Sequence, residues 1–287
     1  MRTPSALFCL LFALVGCSEA TKMPPPAASD LLRESVYTFY KSYTEPGPSG
    51  VLVATRRNGS VKHLILTAGH VVKRLIPVHK VSGEVYLGFR SANLPNAVRR
   101  ICAPTRYVDP FLHPDYPAED LGAFLVRDLE MGVTANSGHV SPIDLDAPFA
   151  NGVGIVRDSS DYEKYAISVG SGVFTFCSDI TQPIDNQGYD WRDSVVMRKG
   201  RIRDLRAKLE TAVPAKPQNA VIVDFPSVNG NSGGPVFAYG QVEGIRYPFL
   251  LGVVSGQVGA NTNLTAVAPI GPIVCDIERK LQQENEK

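Results

Sequence analysis

One short segment, Asn229-Gly-Asn-Ser-Gly-Gly-Pro235, constrains this chain more than any other. It surrounds Ser232 with glycines and leads directly into the apolar run Val236–Ala238. Glycines on both sides of one hydroxyl permit a tight turn that exposes consecutive backbone N–H groups. An attacking serine requires such a turn, because its Oγ must point outward beside amide donors that stabilise an oxyanion. The segment therefore predicts a nucleophilic serine; the simpler interpretation is an ordinary glycine-rich hairpin.

Two further segments favour the nucleophile. The apolar run Leu64–Val72 is interrupted by His70, and Asp120 stands directly before the apolar run Leu121–Val126. With the serine segment they resemble the trypsin/chymotrypsin-like serine peptidases, whose motifs are T-A-[AG]-H, D-[LI]-[AG] and G-[DN]-S-G-G-P. The order His, Asp, Ser is informative, because unrelated triad enzymes arrange these residues differently. The resemblance covers residues 45 to 275.

The resemblance implies a role for each residue. Ser232 is the nucleophile, and His70 is the base that takes its proton and later protonates the leaving amine. Asp120 fixes the tautomer of His70 and stabilises the imidazolium. The N–H groups of Gly230 and Ser232 form the oxyanion hole.

Other residues are alternatives for two of these roles. Asp115 and Glu119 lie close to Asp120 in the sequence, and the strand start after Asp120 selects it from the three. His113 begins a His-Pro sequence, for which we expect a surface loop. The remaining histidines, which lack a motif, are His63, His79 and His139.

The residue before the serine is Asn231, where the family often has an aspartate that pairs with a newly freed N-terminus. An uncharged amide cannot form that ion pair. The chain also lacks the Arg-Ile/Val-Val-Gly-Gly activation sequence. Both departures resemble the bacterial exported Deg-type proteases and imply activity without an activation cut.

The resemblance also locates a specificity pocket. Its floor is expected at Pro226, six residues before the serine, where an aspartate would select Lys or Arg. The wall is expected at Gly252–Gly256, where Ser255 supports Asp120, and Ser255 and Gly256 face the substrate. Val254 replaces the histidine of many glutamate-selective relatives. A small or apolar preference follows.

The pattern of elements predicts an all-β fold. From Val51 onward, short β-branched runs alternate with Gly, Pro and Asn turns, and about a dozen strands are expected. They fit the two six-stranded antiparallel barrels that the resemblance implies, over residues 45–140 and 141–270, with a boundary near Thr134–Pro148. A C-terminal helix is expected over 271–287. Residues 21–44 are expected to hold a tether and an N-terminal helix over Asp30–Tyr43, whose apolar side chains share one face.

Composition excludes several other classes. A net charge of +1 gives no reason to expect nucleic acid as a partner. No His-Glu-x-x-His sequence or cysteine spacing suggests a metal, and no cofactor motif is present. The serine turn leads into a strand and not a helix, which argues against an α/β-hydrolase. Cys102, Cys177 and Cys275 leave one disulfide or three buried thiols as open alternatives.

The first twenty residues predict an export signal. Arg2 precedes the apolar run Ala6–Gly16, which is too short to span a bilayer. Leu14–Cys17 resembles a bacterial lipobox, whose cysteine is lipidated, while cleavage after Ala20 is the competing interpretation. We therefore expect a protein of the bacterial cell envelope or periplasm, held on the membrane through Cys17.

Taken together, the sequence predicts a serine endopeptidase that acts on protein or peptide substrates through an acyl-enzyme on Ser232. Two alternatives stay open. One is a catalytically silent, protease-shaped binding or scaffold protein, and the other is an esterase with the same triad.

Overall fold

The computed structural model describes residues 32, 35–42, 45–57, 60–82, 84–90, 100–106, 108–126, 142–149, 152–178, 195–210, 217–260 and 262–285. Within them the chain forms two β-sheets and three helices whose bounds are described, and Leu32 is also helical. The strands of the first sheet are β1 Val36–Ser42, β2 Glu45–Arg57, β3 Ser60–Ala68, β4 Glu84–Arg90, β5 Arg100–Arg106, β6 Val108–Leu112, β7 Leu121–Val126 and β8 Ile143–Asp144. Those of the second are β9 Gly154–Ile155, β10 Gly172–Ser178, β11 Val195–Leu209, β12 Gln218–Val223, β13 Pro235–Val242, β14 Ile245–Gln257 and β15 Thr265–Pro269. The helices are α1 Gly69–Ser82, α2 Ser160–Lys164 and α3 Gly271–Asn285.

In the first sheet, the two edge strands follow each other directly along the chain. Its order is β5-β4-β1-β2-β3-β7-β6, with antiparallel neighbours throughout. β5 ends at Arg106 and pairs with β4, and β6 begins at Val108 and pairs with β7. Together β5 and β6 count as one strand of a six-stranded barrel. β8 adds to β2 in parallel.

The second sheet is a closed barrel. Its order is β13-β10-β11-β12-β15-β14, and β13 also pairs with β14, which completes the ring. β9 joins β14 in parallel at the outside. Closure leaves no free edge among these six strands. The predicted all-β class with two antiparallel barrels and a C-terminal helix is confirmed.

An apolar cluster joins the two barrels. It contains Val53 and Leu66 of the first barrel, Phe174 and Leu250 of the second, and Ile273 of α3, each 3% exposed or less. Burial of apolar surface stabilises by about 25 cal/mol per Å². Because the same cluster contains side chains from both barrels, it holds them against each other, as a site between them requires.

The helix predicted over Asp30–Tyr43 is wrong for its second half, although the described residue Leu32 is helical. Val36–Ser42 form β1, which lies between β2 and β4. Val36, Tyr37 and Phe39 are all 1% exposed or less, and they include neighbouring residues that point to opposite faces of the strand. A short apolar run is compatible with either a buried strand or the apolar face of a helix. Here the segment forms a strand because it pairs with both β2 and β4. The first barrel therefore begins before residue 45.

Several predicted features lie wholly or partly outside the described residues. Cys17 and the export signal lie outside the described residues, and so does most of the predicted boundary at 134–148. No disulfide joins Cys177 and Cys275, and Cys275 is exposed, so the alternative of three buried thiols is wrong for this residue. The Cys102 side chain is outside the described part. None of the described helices combines the length and the apolar character that a bilayer span needs.

Candidate active site

His70 is the second residue of α1, which begins directly after β3. Gly69 makes this turn possible, because a Cβ there would lie 2.9 Å from the Leu121 carbonyl oxygen. The N–H groups of a first helical turn lack intrahelical acceptors. That of His70 donates to Asp120 Oδ1 at 2.8 Å. The turn thus fixes the histidine against the loop that carries Asp120.

Asp120 also contacts the imidazole itself. Its Oδ2 lies 2.9 Å from His70 Nδ1, and the residue is 6% exposed. The register of β3 and β7 pairs Ala68 with Leu121, which places the residue before β7 beside the start of α1. Because an ionised carboxylate only accepts hydrogen bonds, Nδ1 carries the proton and Nε2 keeps its lone pair. His70 is therefore held in the tautomer that a general base needs.

Burial alone would raise the pKa of Asp120. The hydrogen bond from the His70 ring, the charge of His70, and hydrogen bonds from the Ser255 hydroxyl and the His70 N–H outweigh it and lower the pKa below its ordinary value. The other acidic candidates have different contacts. The Glu119 carboxylate accepts from the Asn219 side chain, and the Asp115 N–H donates to His113 Nδ1 at 3.1 Å. Of the three, Asp120 is the carboxylate that contacts the imidazole.

Ser255 and Gln218 support Asp120 from the second barrel. The Ser255 hydroxyl donates to Asp120 Oδ2, as the resemblance implies. The Gln218 side-chain amide donates to Ser255 Oγ at 2.7 Å. Sequence reasoning missed Gln218, because a glutamine at the start of a strand has no motif around it.

Ser232 lies between the two barrels. Its carbonyl oxygen accepts from the Ser49 N–H at 2.8 Å, and the next N–H, of Gly233, donates to the Val254 oxygen at 2.7 Å. Gly233 has φ +83°, and a Cβ there would lie 2.0 Å from both the Ser49 oxygen and Thr67 Oγ1. Thr67 precedes His70 by three residues, so the serine turn packs directly on the segment that leads to the histidine.

The contact between the serine hydroxyl and the His70 ring is a separate question. Among the described residues, no hydrogen bond connects Ser232 Oγ with the His70 ring. In structures without substrate such bonds are often long, and they shorten in the complex. The structure therefore brings His70 and Asp120 into contact and packs the Ser232 turn on Thr67, three residues before His70.

The turn before Ser232 contains the two N–H groups that the sequence assigns to an oxyanion hole. Gly230 has φ +94°, which a non-glycine residue rarely adopts. In the part of the chain that the structure describes, the N–H groups of Gly230 and Ser232 donate to no protein acceptor. Two unpaired amides on one turn are suitable donors for a developing oxyanion.

Asn231 stabilises this turn from within. It is 1% exposed, its N–H donates to the Val228 oxygen at 3.0 Å, and its Oδ1 accepts from the Val228 N–H at 2.9 Å. The Ser49 hydroxyl also donates to the Gly230 oxygen at 2.9 Å. A neutral amide thus makes local hydrogen bonds at the position where an aspartate would need a distant cation.

The specificity pocket is only partly as expected. Pro226 is exposed, which is not what a closed pocket floor predicts, and the neighbouring Phe225 is buried instead, with its carbonyl oxygen bonded to the Thr265 hydroxyl. A Cβ on Gly256 would meet no atom within 4 Å, so open space lies beside this residue.

His113 differs from the surface residue that we expected. It is 6% exposed, and its Nε2 lies 3.2 Å from Asp276 Oδ2 of α3. The imidazole therefore links the loop before Asp120 to the C-terminal helix. No local motif predicts this contact, because the two residues are far apart along the chain.

Beside Glu119, a cavity of about 540 Å³ extends between Tyr162, Arg206 and Cys275. None of His70, Asp120 and Ser232 is among its described lining residues, so it is separate from the site. The described ranges contain no group of three or more His, Cys, Asp or Glu side chains that could hold a metal ion.

No protein-family model matches the chain, and no curated protein matches its sequence. Solved structures do match. The MamO protease domain from Magnetospirillum magneticum, in its apo form, is 15% identical, with a TM-score of 0.51 over 86% of this chain and 98% of that chain. Deg5 is 16% identical, with a TM-score of 0.49 over 86% of this chain and 90% of that chain. At such identity, the likeness to MamO shows the fold, which is that of the trypsin-like serine proteases.

Proposed function

We propose that this chain is a serine endopeptidase that hydrolyses peptide bonds through an acyl-enzyme. The observation that carries the proposal is the double contact of Asp120 with His70, at 2.8 Å to the backbone N–H and 2.9 Å to Nδ1, beside the Ser232 turn. A histidine held in this tautomer at a helix start, next to a serine turn with two unpaired amides, supports acyl transfer.

The proposed reaction assigns one step to each residue. His70 Nε2 takes the Ser232 proton as Oγ attacks the carbonyl carbon, and the N–H groups of Gly230 and Ser232 stabilise the oxyanion. Asp120 stabilises the imidazolium, which then protonates the leaving amine. Water, activated by the same imidazole, hydrolyses the acyl-enzyme and frees Ser232.

Labelling with a fluorophosphonate probe tests the nucleophile. We expect the folded wild type to be labelled and Ser232→Ala to lose labelling completely, with Ser227→Ala in the same loop as the matched control. Unlabelled wild type, or equal labelling of Ser232→Ala, would refute a working nucleophile. Parallel assays with casein and a small ester then separate a peptidase from an esterase.

The second candidate is a catalytically silent protein that binds peptides in the cleft. It is favoured by the missing hydrogen bond between Ser232 and His70 within the described residues. Peptide binding measured by calorimetry, without turnover and without probe labelling, would favour this candidate. Turnover that disappears in Ser232→Ala would exclude it.

We further propose that the protein is exported and held on the membrane by a lipid on Cys17. The lipobox-like Leu14–Cys17 after an apolar run supports this location. Expression in a bacterial host should place the wild type in the membrane fraction, and Cys17→Ala should release it or leave its precursor unprocessed. A soluble wild type without lipid on its N-terminus, by mass spectrometry, would refute the anchor.

A further inference from the structure

A line of hydrogen bonds extends from the acid of the site into the second barrel. Asp120 Oδ2 accepts from His70 Nδ1 and from the Ser255 hydroxyl, and Ser255 Oγ accepts from Gln218 Nε2 at 2.7 Å. Asp120 precedes β7 of the first barrel, whereas Gln218 begins β12 of the second. The line therefore crosses the interface on which the site depends.

The direction of these hydrogen bonds follows from the inventory of donors. A serine hydroxyl has one hydrogen, and an ionised carboxylate has none. Ser255 must therefore use its hydrogen toward Asp120, and its oxygen can only accept from its other neighbour. The side-chain amide of Gln218 meets this requirement, because its N–H₂ group donates to Ser255 Oγ. If the amide were flipped, its carbonyl oxygen would compete with Asp120 for the hydrogen of the Ser255 hydroxyl.

The strand that carries Gln218 is itself fixed to the loop of Asp120. The neighbouring Asn219 donates its N–H to the Ala118 oxygen at 2.9 Å, and its side-chain amide donates to the Glu119 carboxylate. Two consecutive residues of β12 thus contact the loop that carries Asp120. Asn219 bonds to Ala118 and Glu119, and Gln218 is linked to Asp120 through Ser255. This docking limits the freedom of the Gln218 amide.

We propose that Gln218 is a positioning residue of this site, whose amide directs the single hydrogen of Ser255 toward Asp120. The inference rests on the proposed function, because it assigns Gln218 to the same acid–base pair. Gln218 does not touch the reacting atoms. It acts on His70 only through Ser255 and Asp120.

Two substitutions separate this role from simple packing. Gln218→Leu removes the donor and keeps the bulk, so kcat should fall about 3- to 10-fold with little change in KM. Gln218→Glu keeps the shape but offers only acceptors and a second negative charge. It should lower kcat about 10- to 100-fold and move the acid limb of the rate profile upward by about half a pH unit or more. Gln241→Leu on β13, at an exposed glutamine, is the control and should change neither.

A double-mutant cycle with Ser255→Ala tests the route of the effect. Once the hydroxyl is absent, Gln218→Leu should change kcat by less than about 2-fold, since coupled residues are not additive. An undiminished effect of Gln218→Leu in that background, or equal effects of the Leu and Glu variants without a shift of the profile, would overturn the proposal. Gln218→Met replaces the Leu variant if the melting temperature shows that the latter does not fold.

An NMR titration of the His70 ring, in wild type and in Gln218→Glu, needs no turnover. The titratable groups that interact with Asp120 in the described structure are His70 and Tyr116, and neither is altered by these variants. If the wild type has no activity, the proposed function fails, but an upward shift of the ring titration in Gln218→Glu still supports the role of Gln218. An unchanged titration would refute it.

Discussion

The acid–base half of the site and the serine half are built in different ways. Asp120 binds His70 through two hydrogen bonds, one to its backbone N–H and one to Nδ1, and accepts a third from Ser255. Ser232 is held through its main chain, by bonds at its own carbonyl oxygen and at the following Gly233. Its hydroxyl is not bonded to His70 within the described residues.

This difference indicates where adjustment can occur. Asp120 is buried, His70 is partly exposed, and side-chain hydrogen bonds connect the pair to both barrels, so the pair is already formed in the structure without substrate. The position of the serine oxygen depends on a glycine-rich turn, and such a turn responds to small changes of backbone angle. In the proposed reaction, substrate binding would have to bring Ser232 Oγ within hydrogen-bond distance of His70 Nε2.

The largest effect is expected from breaking the preformed half. Asp120→Asn keeps the size of the side chain but replaces an acceptor by a donor, so His70 Nδ1–H loses its partner and the tautomer is no longer fixed. A loss on the order of 10³- to 10⁴-fold in kcat is expected, as for other triads. Asp115→Asn is the control, since this alternative acid lies on the same loop, and it should change kcat by less than about 2-fold. Equal losses in both variants would mean that the loop and not the carboxylate matters.

Gly233→Ala tests the backbone packing of the serine half. The residue has φ +83°, and its Cβ would lie 2.0 Å from the Ser49 oxygen. We expect a loss of about 2–4 kcal/mol in the free energy of unfolding, from strain together with overpacking. Gly244→Ala is a matched control, because φ is +77° and no atom lies within 4 Å of its Cβ. It should cost only about 1 kcal/mol in chemical denaturation, and a similar cost for both variants would contradict the close packing of the serine turn on the first barrel.

The same contrast explains what the sequence could predict. The motif residues His70, Asp120 and Ser232 stand out because their chemistry requires glycines and strand ends nearby, and these are local signals. The supports of the acid, Gln218 above all, come from distant strands, so only the pairing of β11 with β12 and of β12 with β15 places them. The helix prediction for Val36–Ser42 is wrong for the same reason, since the strand depends on pairing with residues 45–51 and 86–88.

Asn231→Ala tests whether the oxyanion turn is stabilised locally. The substitution leaves the Val228 N–H without the Oδ1 acceptor that lies at 2.9 Å. An unpaired buried donor costs about 1–3 kcal/mol. We therefore expect kcat/KM to fall about 10-fold, as the turn spends more time in other conformations. Asn229→Ala, at an exposed position of the same loop, is the control and should be nearly silent. Unchanged kinetics in Asn231→Ala would show that the turn is held from elsewhere.

The smallest effect concerns acid stability. Although burial opposes it, the hydrogen bonds and charge of His70 and the Ser255 hydroxyl hold the pKa of Asp120 below its ordinary value. A carboxyl group with a lowered pKa in the folded state stabilises the fold at pH values above its unfolded pKa of about 3.9. That contribution is lost as the pH falls through the lower folded value. Wild type should therefore lose melting temperature more steeply than Asp120→Asn between about pH 5 and pH 2, so the difference between the two proteins shrinks with acidification. Parallel curves over that range would mean that Asp120 is not stabilised as a carboxylate, and the contrast between a preformed acid–base pair and an adjustable serine would then no longer hold.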